Sequence, residues 1–183
     1  MSMPQAAERW TAERIRGLPD DGLRHEVVDG EHLVSPAPRP LHQIAVLALV
    51  RRLEPYVMAH ALGRVMTSPA DLELDRKTLV QPDVFVAAAV RIRTWDDAVP
   101  LRLAIEISSP TTARADRFLK RRRFQRAEVE YWIVDLDARL LERWRPGDRR
   151  PEVLGERLLW QPAGAPEPLL VDLEELFRDI EGE

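Results

Sequence analysis

The sequence contains no cysteine. That excludes disulfides, thiolate metal sites and cysteine nucleophiles together, and it fits a reducing, cytoplasmic setting. The opening residues MSMPQAAERW lack the apolar core of a signal peptide. The longest apolar stretches, 44–50 and 84–90, are too short to cross a bilayer, so no membrane partner is expected. Glycine is sparse, eight in 183 residues, and no glycine-rich phosphate loop or G-x-S-x-G elbow is present. His25, His32, His42 and His60 show no zinc-ligand spacing. The rarest cation is lysine, with only Lys77 and Lys120 against 25 arginines.

What is present fits one domain, 1–183, with a core over about 24–145 and an acidic C-terminal segment, 151–183. At 45% hydrophobic residues the chain can fill a core. The net charge of −4 is unevenly spread. Residues 151–183 hold nine acids and two bases, a net of −7, which leaves +3 for the rest. Between Arg114 and Arg126 there are seven bases and one acid. Such a run is explained by a solvated helix face, or by a patch that binds phosphates.

The apolar pattern gives a coarse map. Residues 5–16 read as a short helix ended by Gly17 and Pro19. Residues 25–34 read as a hairpin around Asp29-Gly30. The prolines of 35–40 force a loop, and 41–59 follow helical spacing until Pro55 makes the last turn questionable. Strands are expected at 64–67, 71–74, 84–88, 101–107, 131–135 and 140–145, with a polar turn at 75–78. Thr111 or Thr112 caps a helix to about Arg126, and a last helix covers 172–177. Strand 101–107, helix and strand 131–135 form a βαβ-like unit, which implies a mixed sheet in an α/β or α+β fold.

Three residues stand out within this map. Asp83 follows Pro82 at the start of an apolar strand, and Glu106 interrupts LRLAIEI. Either acid alone is explained by a strand end that reaches water or an arginine. On neighbouring strands of one sheet, the two make a pair of hard oxygen ligands for Mg²⁺. Lys120 sits in KRRRFQR, the one lysine in a run of arginines. A compact ammonium with a mobile pKa does what a permanently charged fork cannot. Asp116, four residues earlier, shares its helix face, which points back toward Glu106. Glu26 reads as a strand residue facing solvent, and His42 as a surface or packing histidine.

The ordered pieces HEVVDGE, SPAPRPLHQ, VQPDVFV, AIEISSPTT, DRFLK and EYWIVD resemble the Uma2 family, a branch of the PD-(D/E)XK nuclease superfamily. The match runs from about His25 to Asp135. Asp83 in QPD and Glu106 in EISSP match the family's acids. Ser108 stands where the superfamily's E-x-K places lysine, and Lys120 after Asp116 matches the family's alternative on the next helix. Glu26 matches the hairpin glutamate, and His42 the histidine before glutamine. The chain departs from the family at His25, where tyrosine is common, and in AEVEYW, one residue short and without a glycine.

The resemblance implies a restriction-endonuclease-like mixed β-sheet core flanked by helices, with an N-terminal helix and hairpin. It implies a cytoplasmic endonuclease that cuts DNA with Mg²⁺ (Mn²⁺ as substitute), and a homodimer. Asp83, Glu106 and the Ile107 carbonyl would hold the metal, and Lys120, Glu26 and His42 would complete the catalytic set. Arg121, Arg122, Arg123 and Arg126 would anchor the DNA backbone. Two other readings stay open: a nuclease-fold DNA-binding or regulatory module without turnover, and an interaction protein whose acids are structural. Convergence of Asp83, Glu106 and Lys120 in one polar cleft discriminates against the last.

Overall fold

The computed structural model describes residues 9–109 and 112–182. Asp29 and Gly30 both adopt left-handed backbone, φ +52° and +85°, the mirror-image turn that joins β1 (Arg24–Val28) to β2 (Glu31–Ser35). The turn is tied down from behind. The Gly30 N–H donates to the Lys77 carbonyl at 2.9 Å, and the Asp29 N–H to the Thr78 hydroxyl at 3.3 Å. The expected polar turn at 75–78 joins β4 (Leu72–Asp75) to β5 (Thr78–Val80), and its last residue already belongs to the strand. These four strands form one small sheet, in order β2-β1-β5-β4. Val27 and Leu79 face outward beneath α1 (Ala12–Arg16), while Val28, Leu72 and Val80 face the main core.

The larger sheet contains β3 (Arg64–Thr67), β6 (Val84–Ala87), β7 (Leu101–Ser108), β8 (Glu130–Asp135), β9 (Leu140–Trp144) and β10 (Glu152–Leu154), in order β10-β9-β8-β7-β6-β3. β6 pairs antiparallel with β7, and β7 parallel with β8, so the sheet is mixed as expected. Alternation along each strand divides the core in two. Val84, Val86, Leu103, Ile105, Ile107, Trp132 and Val134 face one side, covered by α2 (Pro40–Ala59), α4 (Leu173–Glu181) and the hairpin of β11 (Arg157–Trp160) and β12 (Leu169–Asp172). Phe85, Ala87, Ala104, Tyr131 and Ile133 face the other side, toward the crossover helix and the small sheet. At Gly63 a side chain is impossible, since a Cβ would sit 1.9 Å from the Ala87 carbonyl oxygen where β3 meets β6.

The helices differ from expectation at their ends. Of the helix expected at 5–16, residues 5–8 lie outside the described residues. The described part begins at Ala12 because the Thr11 hydroxyl caps it, accepting from the Arg14 N–H at 3.2 Å. Pro55 does not end α2; Tyr56 and Val57 beyond it are buried, and that packing offsets the lost backbone bond. The last helix runs past residue 177 to Glu181, because Ile180 is buried and left-handed Gly182 closes the turn. The crossover helix carries a π-helical segment, Ala115–Lys120, before the α-helical α3 (Arg121–Arg126). Thr111, one expected cap, lies outside the described residues, while the Thr112 hydroxyl accepts from the Ser109 N–H at 3.2 Å. Among the described residues no helix is long and apolar enough to cross a membrane.

Candidate active site

The alternation that builds the sheet also points the acids. Glu106 lies two residues after Ala104 and Asp83 two before Phe85, so both fall on the sheet face that meets the crossover helix. Glu26 lies two residues before Val28, on the inward face of the small sheet. It is 1% exposed, which corrects the expectation of a solvent-facing strand residue. The π-helical turn sets Asp116 and Lys120 on its inner side, and both are buried. Wide turns of this kind are found at functional sites, because they redirect side chains at a cost in helix regularity.

Lys120 is the hub. Its Nζ lies 2.7 Å from Glu26 Oε2, 2.9 Å from Glu106 Oε1 and 3.7 Å from Asp116 Oδ1. The other Glu26 oxygen accepts from the Gln81 N–H at 2.8 Å, so that carboxylate is fixed at both ends. Asp83 is equally engaged. Its Oδ1 accepts from Arg24 Nη1 at 2.8 Å, and its Oδ2 from His42 Nε2 and from the Ile107 N–H, each at 2.9 Å. His42 is therefore a working partner of Asp83, and among the described residues its buried Nδ1 meets no hydrogen-bond partner. Asp116 is buried as well, with the Thr112 hydroxyl and the Lys120 ammonium as its neighbours.

Four acids, Glu26, Asp83, Glu106 and Asp116, face Lys120 and Arg24 here, and burial acts on each of them. Burial first, then Asp83, Asp116 and Glu26, push the Glu106 carboxyl well above its ordinary range despite Lys120. Burial also raises Asp116. For Asp83 burial works upward, but the bonds from His42, Arg24 and the Ile107 N–H prevail and hold it at about 2. Burial works against the Lys120 ammonium, and the three surrounding carboxylates overcome it, so its pKa rises well above the ordinary value. The four acids thus compete for the charge of Lys120 and Arg24, and Glu106 and Asp116 are the ones that burial pushes toward the neutral form.

Asp83, Glu106, Asp116 and Lys120 line one cleft of about 300 Å³, with the proline loop as a wall and Arg24, Arg39 and His42 beside it. Their convergence argues against scattered structural acids. The carboxyl groups of Asp83, Glu106 and Asp116 that line the cleft are hard oxygen donors, the kind a divalent cation such as Mg²⁺ takes. Among the described residues no three His, Asp or Glu side chains are arranged to hold a metal as they stand. Lys120 and Arg24 already occupy the acids.

The four arginines of the basic run do not share one environment. Arg123 is turned inward, with Nη2 2.7 Å from Asp75 Oδ2 and Nε bonded to the Thr78 hydroxyl. Arg121 stacks over Trp144 at 4.6 Å and bonds Gln125. Arg126 forms an exposed pair with Asp29, and Arg122 is exposed. None of the four lines the cleft. Arg24 does, and sequence reasoning missed it. Its only signal is its place two residues before Glu26, which is lost among 25 arginines.

The fold is restriction-endonuclease-like. The chain belongs to the Uma2 family, whose model, described as "Putative restriction endonuclease", matches residues 12–173. A crystal structure from Anabaena variabilis ATCC 29413, described as "a putative nuclease belonging to DUF820", is similar at a TM-score of 0.74 and 20% identity, covering 93% of this chain and 99% of that one. No curated protein matches the chain.

Proposed function

We propose that the protein is a metal-dependent DNA endonuclease that hydrolyses phosphodiester bonds with Mg²⁺, or with Mn²⁺ in its place. The observation that carries this reading is the Lys120 ammonium clasped between Glu26 and Glu106, in the same cleft as Asp83. The family description and the description of the Anabaena protein support it. Asp83 and Glu106, with the Ile107 carbonyl, would hold the cation, and Asp116 offers further oxygens. When bound, such an ion supplies Lewis acidity toward a phosphate oxygen and neutralises its charge.

The protein's own groups supply orientation and charge. Two Lys120 N–H groups are committed to Glu26 and Glu106, which aims the third N–H. That donor orients a water or offsets the charge that builds on the phosphate oxygens in the transition state. Glu26 positions Lys120, since the Gln81 N–H locks its other oxygen. His42 sets the Asp83 carboxylate by donating to Oδ2. Arg122 and Arg126, exposed outside the cleft, would hold DNA backbone, whereas Arg123 is turned inward to Asp75.

One observation favours a second reading, a DNA-binding module without turnover. Every Asp83 oxygen already has a protein donor, so the acid is satisfied without any metal. Supercoiled plasmid separates the two. Nicking that needs Mg²⁺ or Mn²⁺, stops with EDTA and is lost in Glu106→Ala establishes the nuclease. Plasmid retained but uncut under all metal conditions establishes the module.

A further inference from the structure

Arg24 and Arg39 both line the cleft, and Arg24 is paired with a cleft acid, Asp83. Its Nη1 is the sole donor to Asp83 Oδ1, at 2.8 Å, and also reaches the Gln81 carbonyl at 3.3 Å. Asp83 Oδ2 has two donors, His42 and the Ile107 backbone N–H, and the second cannot leave without moving β7. Oδ1 is therefore the oxygen that an incoming cation can win, and Arg24 is the group it must displace. The guanidinium is held by more than one acid, since Glu106 and Glu26 also favour its charge. Its side chain is 20% exposed against 2% for Asp83, so it has room to swing outward while the carboxylate does not. It projects from the first residue of β1, opposite Ser35, which also lines the cleft. A released fork would stay at the cleft mouth, with the geometry that guanidinium uses to grip phosphate.

We propose that Arg24 is an exchangeable counterion: it neutralises Asp83 while no divalent cation is held, yields Oδ1 when one binds, and transfers its fork to a backbone phosphate of the bound nucleic acid. Arg24 is thus a positioning residue, and the inference rests on the metal-dependent reading above. It couples the two ligands of the cleft, because the metal frees the group that receives the phosphate, and the phosphate in turn keeps that group off the metal's oxygen.

The test uses the full chain, with Mn²⁺ binding followed by electron paramagnetic resonance in the absence of DNA. Arg24→Gln keeps a donor for the Gln81 carbonyl and removes the competing charge. It should bind Mn²⁺ roughly tenfold more tightly than wild type, the scale expected when a close like charge is removed. The same variant should bind a DNA duplex more weakly in Ca²⁺, and Arg24→Lys should return Mn²⁺ affinity toward wild type. Equal or weaker Mn²⁺ binding by Arg24→Gln overturns the exchange and leaves the metal site standing. No Mn²⁺ binding by wild type overturns the metal-dependent reading and the exchange with it. If Arg24→Gln does not fold, Mg²⁺ titration of wild type decides: the Arg24 guanidinium NMR signals must move with the binding midpoint, and signals that stay fixed overturn the proposal.

Discussion

β7 carries two chemistries back to back. Leu103, Ile105 and Ile107 face α2 and pack with Trp132, Trp160 and Leu49 into a dry core. Ala104 and Glu106 face the crossover helix, and there the apolar packing stops after Ala104 and a buried charge cluster begins. Both faces exclude water to nearly the same degree, with Ile105 0% and Glu106 3% exposed. They differ in what burial does. On the first face it is the stabilising term itself. On the second it penalises every charge, and Glu26, Asp83, Glu106, Asp116, Arg24 and Lys120 persist because each answers another. A fold that only needed stability would extend the first face through both sides; the second is where binding chemistry is held ready.

The largest expected effect breaks function on the charged face and spares the fold. Glu106→Ala should reduce metal-dependent plasmid cleavage to background, while its melting temperature holds or rises, because a carboxyl disfavoured by burial and by three other acids is gone. Loss of soluble, folded protein in that variant would instead make Glu106 a structural acid. On the dry face the pattern should reverse. Trp132→Ala removes a fully buried side chain and should cost about 3–5 kcal/mol by urea denaturation.

Lys120→Arg sharpens the comparison within the charged face, since it keeps the charge and changes the shape. A planar fork does not fit where a compact ammonium sits 2.7 and 2.9 Å from two carboxylates. Single-turnover cleavage should fall roughly 100-fold, nearly as far as for Lys120→Ala, with DNA affinity in Ca²⁺ little changed. Wild-type rates would reduce Lys120 to one more base of the run. Outside the cleft the same chemistry should matter far less. Arg122→Lys should cleave like wild type, and Arg126→Ala, which loses an exposed pair with Asp29, should change stability by no more than about 0.5 kcal/mol.

The smallest effect lies beyond the cleft, on the β1–β2 hairpin. His32 packs against Trp10 in a tilted pair, ring centroids 4.1 Å apart, and shares a hydrogen bond with His25. Burial first, then His25 and Arg14, lower its pKa below the ordinary 6.5. The folded protein thus takes up this proton less readily than the unfolded chain. The contribution of neutral His32 is complete above 6.5 and is lost progressively as pH falls from there through the folded value. The melting temperature of His32→Gln should fall less than that of wild type over this range, and ring NMR should show His32 titrating low. A His32 titration at or above 6.5 would remove the effect.

Much of this was legible from local signals, because they are properties of short segments. Asp29-Gly30 specifies its hairpin through backbone conformation, and the apolar runs 84–88 and 101–107 specify strands buried on both faces. Asp83, Glu106 and Lys120 stood out because each breaks a local pattern, an acid in an apolar strand or a lysine among arginines. Glu26 and His42 broke none, and only the family resemblance marked them. Arg24 had neither kind of mark.

The sequence by itself determined where the central strands run, the turn at Asp29-Gly30 and the acids placed where apolar residues were due. Tertiary structure alone decided which arginine serves the cleft and which serve the fold. Arg24 and Arg123 are the same residue type, and no neighbour in sequence separates them. One meets Asp83, 59 residues away, and the other Asp75, 48 residues away. The partner of a long, flexible cation is set by where distant strands bring a carboxylate, and that position exists only once the sheets have packed.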